Sequence, residues 1–240
     1  GDPSVDRVLN GVASVARSLL FLHAHDPMVV HLDLKCSNVL WKEQADEQGH
    51  VVDHFKLGDF GGSWMSYQGE APLFLPPEEI HQRTQITPLF APPSDEELDH
   101  PDPSFDVYSM GVLLLEVFFG GDVVELPVGT TIRTGSSEKE RLSLDLDSWM
   151  QRVQCVYEEI STAWKFPELP SAVWCRRNCR HFPGQYFRVV HHCLRSNRCE
   201  RISSEHLASL LQGIAALDPQ EYEDPINTLE ELQQDGIIAS

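Results

Sequence analysis

The sequence predicts a mainly α fold: a helical bundle that carries one small β-hairpin. Three observations support it. Residues 4–24 set Val5, Val8, Leu9, Val12, Val15, Ala16, Leu19, Leu20 and Leu22 at helical spacing, which makes one broad apolar face. Residues 105–119, FDVYSMGVLLLEVFF, are apolar almost all round, the pattern of a helix enclosed in a core. Between them lie only short apolar runs, at 28–32, 39–41 and 55–57, and the polar KEQADEQGH separates the last two, which reads as strand, loop, strand.

Taken in order, Asp2 or Ser4 can cap the first helix, and Pro27 in AHDPM ends it. The hairpin follows. Residues 62–104 are rich in Pro, Gly, Ser and acids without a sustained period. An irregular segment of that length inside a compact domain is usually functional or disordered. After the buried helix comes a polar, glycine-containing stretch at 120–144. Helical patterns return at 145–163, 184–195 and 204–216, with a Pro-rich break at 167–170. NTLEE at 227–231 fits a capping box from Asn227 to Glu230. No strand is expected beyond residue 60, and no internal repeat is visible. The abrupt entry of GDPSVDRVL into a helical pattern predicts a trimmed chain.

Composition narrows the function classes. The chain is 41% hydrophobic and 23% charged, with a net charge of −19. A soluble globular protein is expected, with neither nucleic acid nor an anionic membrane as partner. Six cysteines in 240 residues are too sparse for a disulfide scaffold, so reduced thiols and an intracellular setting, cytoplasmic or nuclear, are expected. The longest apolar run, VLLLEVFF, is interrupted by Glu116 and far shorter than the about 20 residues of a membrane span. Cys175, Cys179, His191, His192, Cys193 and Cys199 have spacings poor for a closed zinc site.

The chemistry concentrates in VVHLDLKCSNVLW, residues 29–41. Asp33, Lys35 and Asn38 fall within six residues between two apolar runs, where charge is costly unless a site needs it. KLGDFGGSW then puts Asp59 after an apolar strand, followed by Phe60, Gly61 and Gly62. Asn38 and Asp59 offer the hard oxygen ligands that Mg²⁺ prefers. Asp33 can accept a proton from an attacking hydroxyl, and Lys35 can neutralise charge on a transferred phosphoryl group. Together they read as a phosphoryl-transfer site.

HLDLKCSN resembles the catalytic loop of the eukaryotic protein kinases, and DFG matches their metal-binding motif. SFDVYSMGVLLLE resembles the family's buried helix, and CLRSNRCERISSEHL the stretch near the end of its helical lobe. The similarity runs over about residues 5–215 and corresponds to the C-terminal lobe. It implies a C-lobe at 1–217, with an activation segment at about 59–94, an insert at about 120–144 and an acidic tail at 218–240. It implies ATP and Mg²⁺ as cofactors and a protein substrate. Asp33 is then the catalytic acid/base. Lys35 is the γ-phosphate contact of the serine/threonine type, and Asn38 and Asp59 are metal ligands. His31, Phe60 and Gly61 are structural. Asp106 caps the buried helix and steadies the catalytic loop, and Arg201 is a structural arginine.

Departures from the family pattern carry their own expectations. Leu32 stands where the family usually has an arginine that pairs with a phosphorylated segment, so activity independent of segment phosphorylation is expected. Among the segment's hydroxyls, Ser66, Tyr67, Thr84 and Thr87 are then ordinary loop residues. Two stretches can close the segment: Pro76-Pro77-Glu78, which keeps a glutamate for Arg201, and Ala91-Pro92-Pro93, which lies at the better distance from Asp106. Glu78 is favoured, because a buried arginine needs a partner. No glycine-rich loop with a strand lysine, and no helix glutamate, precedes the catalytic loop. The reading is therefore a catalytic lobe without its N-terminal lobe, inactive alone and active when an N-lobe completes it. The alternative is a pseudokinase-like interaction module.

Overall fold

A computed structural model of the chain describes residues 3–45, 48–49, 51–66, 86–94, 97, 100–119, 128–133, 140–144 and 182–238. Helix α1 spans Pro3–Ala24. Four strands follow: β1 (Met28–Val30), β2 (Val39–Ala45), β3 (Val51–Leu57) and β4 (Trp64–Ser66). Then come helix α2 (Pro103–Phe119), strands β5 (Val128–Arg133) and β6 (Glu140–Leu144), and helices α3 (Gly184–Cys193), α4 (Ser204–Ala215) and α5 (Pro225–Ile238).

The expected helices at 4–24, 105–119, 184–195 and 204–216 are present. The single small hairpin is corrected. Among the described residues there are three two-stranded antiparallel sheets, β1–β4, β2–β3 and β5–β6, and three of their strands lie beyond residue 60. The first 66 residues thus hold α1 and four strands ahead of a mainly helical region, which is more β structure than a helical lobe with one hairpin. Strand β4 was hidden because three residues are too few to show alternation. The β-branched run in VGTTIR marks β5, but Gly and Ser around it read as loop. The expected helix at 145–163 lies outside the described residues.

The core forms where α2 is surrounded. Val5, Leu9, Val12, Ala16 and Leu19 on the periodic face of α1 are buried, as are Val107, Met110, Leu113 and Leu114 on α2. Each such Val, Leu or Met side chain contributes about 1.5–3 kcal/mol of hydrophobic stabilisation. Helix α3 comes so close to α2 that a Cβ at Gly111 would lie 2.7 Å from that of Cys193, so only glycine fits there. The Tyr186 hydroxyl donates to the Leu114 carbonyl at 2.6 Å, and Phe118 meets Phe182 and Phe187 edge to face.

The helix caps differ from expectation. The N-terminus of α2 is capped by Asp102, whose carboxylate accepts the Ser104 amide at 2.7 Å, and Asp106 is left for another task. Helix α5 is capped by Asp224, which accepts the Asn227 amide at 2.9 Å, so Asn227 lies inside it. The acidic stretch is docked on α3, with Leu229 and Leu232 buried and Arg188 paired with Glu223 and Glu231.

Candidate active site

The site is built on one end of the β2–β3 ribbon. Register pairs Val39 with Leu57, and the Gly58 amide donates to the Asn38 carbonyl at 2.9 Å. Asn38, just before β2, and Asp59, just after β3, therefore come to the same end of the ribbon. His31 ties the two loops again: its Nε2 lies 2.9 Å from the Gly58 carbonyl oxygen, and its ring packs 4.9 Å from that of Phe60. A carbonyl only accepts, so Nε2 carries the proton and Nδ1 faces the Asp33 amide at 3.4 Å.

Asp106, fully buried in the first turn of α2, holds the catalytic loop's backbone. Its carboxylate accepts the His31 amide at 2.7 Å and the Leu32 amide at 2.9 Å. Leu32 sits at φ 66°, a left-handed conformation that costs a non-glycine residue about 1–2 kcal/mol. The two charge-assisted hydrogen bonds offset that strain. The Leu32 side chain is buried with Val30, Ala91 and Phe105, and Trp64 and Ile86 pack on the cluster. The position where the family's arginine would seek an anion is thus a small apolar core that touches both ends of the segment.

Asp33 is 5% exposed. Its Oδ2 accepts from Lys35 Nζ at 2.7 Å and from Asn38 Nδ2 at 2.9 Å. Its Oδ1 accepts from the Thr87 hydroxyl at 2.6 Å, and Thr87 in turn accepts from Lys35 at 2.8 Å. A carboxylate has about four lone-pair sites, so these three donors leave one for an incoming hydroxyl. The Asn38 amide nitrogen is also spent on the Asp33 carbonyl, at 2.7 Å, and its oxygen has no hydrogen-bond partner among the described residues. Asp59 is exposed, with φ 59° and ψ 67°, and its carboxylate makes no hydrogen bond or ion pair among the described residues. A Cβ at Gly61 would lie 3.4 Å from Asp59 Oδ1, ordinary contact rather than a clash. Cys36 in the same loop is a poor nucleophile. Burial, and then the Glu116 carboxylate whose Oε2 takes the Cys36 amide at 2.9 Å, push its thiol well above the usual range.

Two residues of this constellation were missed in the sequence. Thr87 is not an ordinary loop residue but a member of the Asp33–Lys35 network. Glu97 meets Arg201: the guanidinium donates to its carboxylate at 2.6 and 3.1 Å, with both side chains nearly fully buried. Arg201 also donates to the carbonyls of Arg195, Ser196 and Ser104 and stacks 5.0 Å over Tyr108. Burial raises the Glu97 pKa although Arg201 pulls it down. Glu78 lies outside the described residues. The argument that a buried arginine needs a carboxylate was sound, but the carboxylate comes from four residues beyond Pro93. No cluster of three or more His, Cys, Asp or Glu side chains fit for a metal occurs among the described residues.

The sequence model of the protein kinase domain matches residues 4–221. Among curated proteins, the chain is 30% identical over 162 residues to eukaryotic translation initiation factor 2-alpha kinase 1 of Mus musculus, covering 63% of this chain and 23% of that protein. It is 32% identical over 116 residues to probable serine/threonine-protein kinase PBL11 of Arabidopsis thaliana, covering 48% and 26%. With serine/threonine-protein kinase pkpA of Phycomyces blakesleeanus it shares 27% over 127 residues, covering 53% and 17%. The chain spans about a quarter or less of the length of these relatives. The domain match overturns the reading of the chain as a C-terminal lobe alone, to be completed by an N-terminal lobe. One kinase domain accounts for nearly all of the 240 residues, and the expectation of an inactive fragment loses its premise. The chain belongs to the protein kinase domain family.

Proposed function

We propose that this protein transfers the γ-phosphate of ATP to a serine or threonine hydroxyl of a protein substrate. The observation that supports it most is the network around Asp33: a nearly buried carboxylate fixed by Lys35, Asn38 and Thr87 with one lone-pair site to spare. Asp33 orients the substrate hydroxyl and accepts its proton, which contributes about 10²–10⁴-fold in rate. Lys35, already 2.7 Å from Asp33, faces the transferred phosphoryl group and stabilises its charge. A lysine at this place is the pattern of the serine/threonine type.

Mg²⁺ fits the donors present. The Asn38 oxygen and the Asp59 carboxylate, both without a partner among the described residues, are hard oxygen ligands. Mg²⁺ takes one or two such protein groups and fills its remaining positions with phosphate oxygens and water, so a three-acid cluster is not needed. When bound, it neutralises charge on the phosphates.

The test is phosphotransfer from labelled ATP to a mixed serine/threonine peptide pool. Wild type should label the pool, and Asp33→Asn should lower kcat by about 10²–10⁴-fold. Equal rates in the two proteins would remove Asp33 from the reaction. An unlabelled pool with the wild-type protein would count against the transferase reading.

A further inference from the structure

Asp106 does not hold the catalytic loop alone. His23, the penultimate residue of α1, places Nε2 2.8 Å from Asp106 Oδ2 and Nδ1 2.5 Å from the Ser204 hydroxyl. The His23 side chain is 4% exposed, and Ser204 is 7% exposed. A carboxylate only accepts, so Nε2 bears the proton. The other ring nitrogen, Nδ1, is hydrogen-bonded to the Ser204 hydroxyl. Helix capping does not require this hydroxyl: Ser203 is the N-cap of α4 and accepts the His206 amide at 3.2 Å. Ser204, the next residue, is free to serve the histidine.

We propose that Ser204 and His23 are positioning residues: a buried relay from the first turn of α4, through His23 and Asp106, to the His31 and Leu32 amides. The proposal rests on the kinase reading, which it extends to residues far from the reacting atoms. The physical argument is the left-handed backbone at Leu32. That conformation persists only while Asp106 keeps both oxygens aimed at the loop. His23 fixes the orientation of Oδ2, and Ser204 fixes the plane of the His23 ring. Without the hydroxyl, Nδ1 is a buried polar atom with no hydrogen-bond partner among the described residues. The ring then gains a reason to turn away, and the carboxylate gains freedom to rotate. Asp33 is the next residue after Leu32, so its carboxylate moves with that backbone.

The experiment compares Ser204→Ala and Ser204→Thr with wild type in the intact protein, by amide hydrogen exchange and steady-state kinetics. The relay predicts that Ser204→Ala speeds exchange at the His31 and Leu32 amides while the Leu113 and Phe187 amides keep their protection. It predicts a kcat lower by up to about tenfold with KM for ATP and peptide unchanged, and recovery of both effects in Ser204→Thr. Combined with His23→Gln, the Ser204→Ala change should add nothing further, since both break one chain. Unchanged exchange at His31 and Leu32, uniformly faster exchange across the protein, or additive losses in the double variant would overturn the relay. Unchanged kcat alongside faster loop exchange would overturn its positioning role. The exchange measurement does not need phosphotransfer, so it decides the relay even if the kinase reading fails.

Discussion

Two carboxylates frame the end of the β2–β3 ribbon, and they are held in opposite ways. Asp33 is nearly buried and fixed by three side-chain donors. Asp59 is exposed, sits in a left-handed turn and has no partner among the described residues. The first loop is anchored from below by α2 through Asp106. The second hangs on the Gly58 contacts and the Phe60 ring. A group that must meet a hydroxyl in one geometry gains from being fixed beforehand. A group that must wrap a cation gains from being left unspent. The contrast supports the proposed roles better than the shared residue type does.

The largest effect is expected at the buried ion pair beside the start of α2. Glu97→Ala leaves Arg201 charged and buried with no carboxylate, at a cost of about 3–5 kcal/mol. Urea unfolding should record that loss, and a change under about 1 kcal/mol would show that Arg201 finds water or another acid. The pair is expensive to break rather than strongly stabilising in itself, because burial already penalises the Glu97 charge.

Next in size is Thr87. Thr87→Ala removes one donor from Asp33 and one acceptor from Lys35 and should lower kcat by up to about tenfold. Thr87→Ser should restore it, because the hydroxyl and not the methyl makes the contacts. A Thr87→Ala protein with wild-type kcat would return Thr87 to the status of a loop residue.

The smallest effect is expected from the other hydroxyls of the segment. Leu32 is buried in an apolar cluster with Ala91 and Phe105, on which Trp64 and Ile86 pack, so no buried cation there asks for a phosphate. Replacing Ser66, Tyr67 and Thr84 together should change initial rates by less than about tenfold. A larger loss, rescued by an acidic residue at one of the three, would reveal another cation acting as the phosphate's partner.

Legibility followed distance along the chain. Asp33, Lys35 and Asn38 lie within six residues, and one β-hairpin brings Asp59 back to them, so spacing and residue type were enough to single them out. Asp106 was legible through the helix it starts, although its work is on the loop while Asp102 makes the cap. Thr87 and Glu97 were not legible. They sit 54 and 104 positions from Asp33 and Arg201, in a segment without period, and only tertiary packing selects them among several threonines and glutamates. The need for a carboxylate at Arg201 could be deduced from burial, but its address could not. His23 and Ser204 carry no signal of their own, since a histidine and a serine at helix ends are ordinary in any sequence.

The central claim is the division of labour between the two carboxylates, and nucleotide binding tests it most directly. Dissociation constants for Mg²⁺-bound ATP, measured by calorimetry on wild type, Asp33→Asn and Asp59→Asn, should separate them. The account predicts Asp33→Asn within about twofold of wild type, because Asp33 acts on the hydroxyl. It predicts Asp59→Asn weaker by at least about tenfold, with that difference shrinking when Mg²⁺ is withheld. Equal losses in both variants, or an Asp59→Asn protein that binds as wild type does, would contradict it.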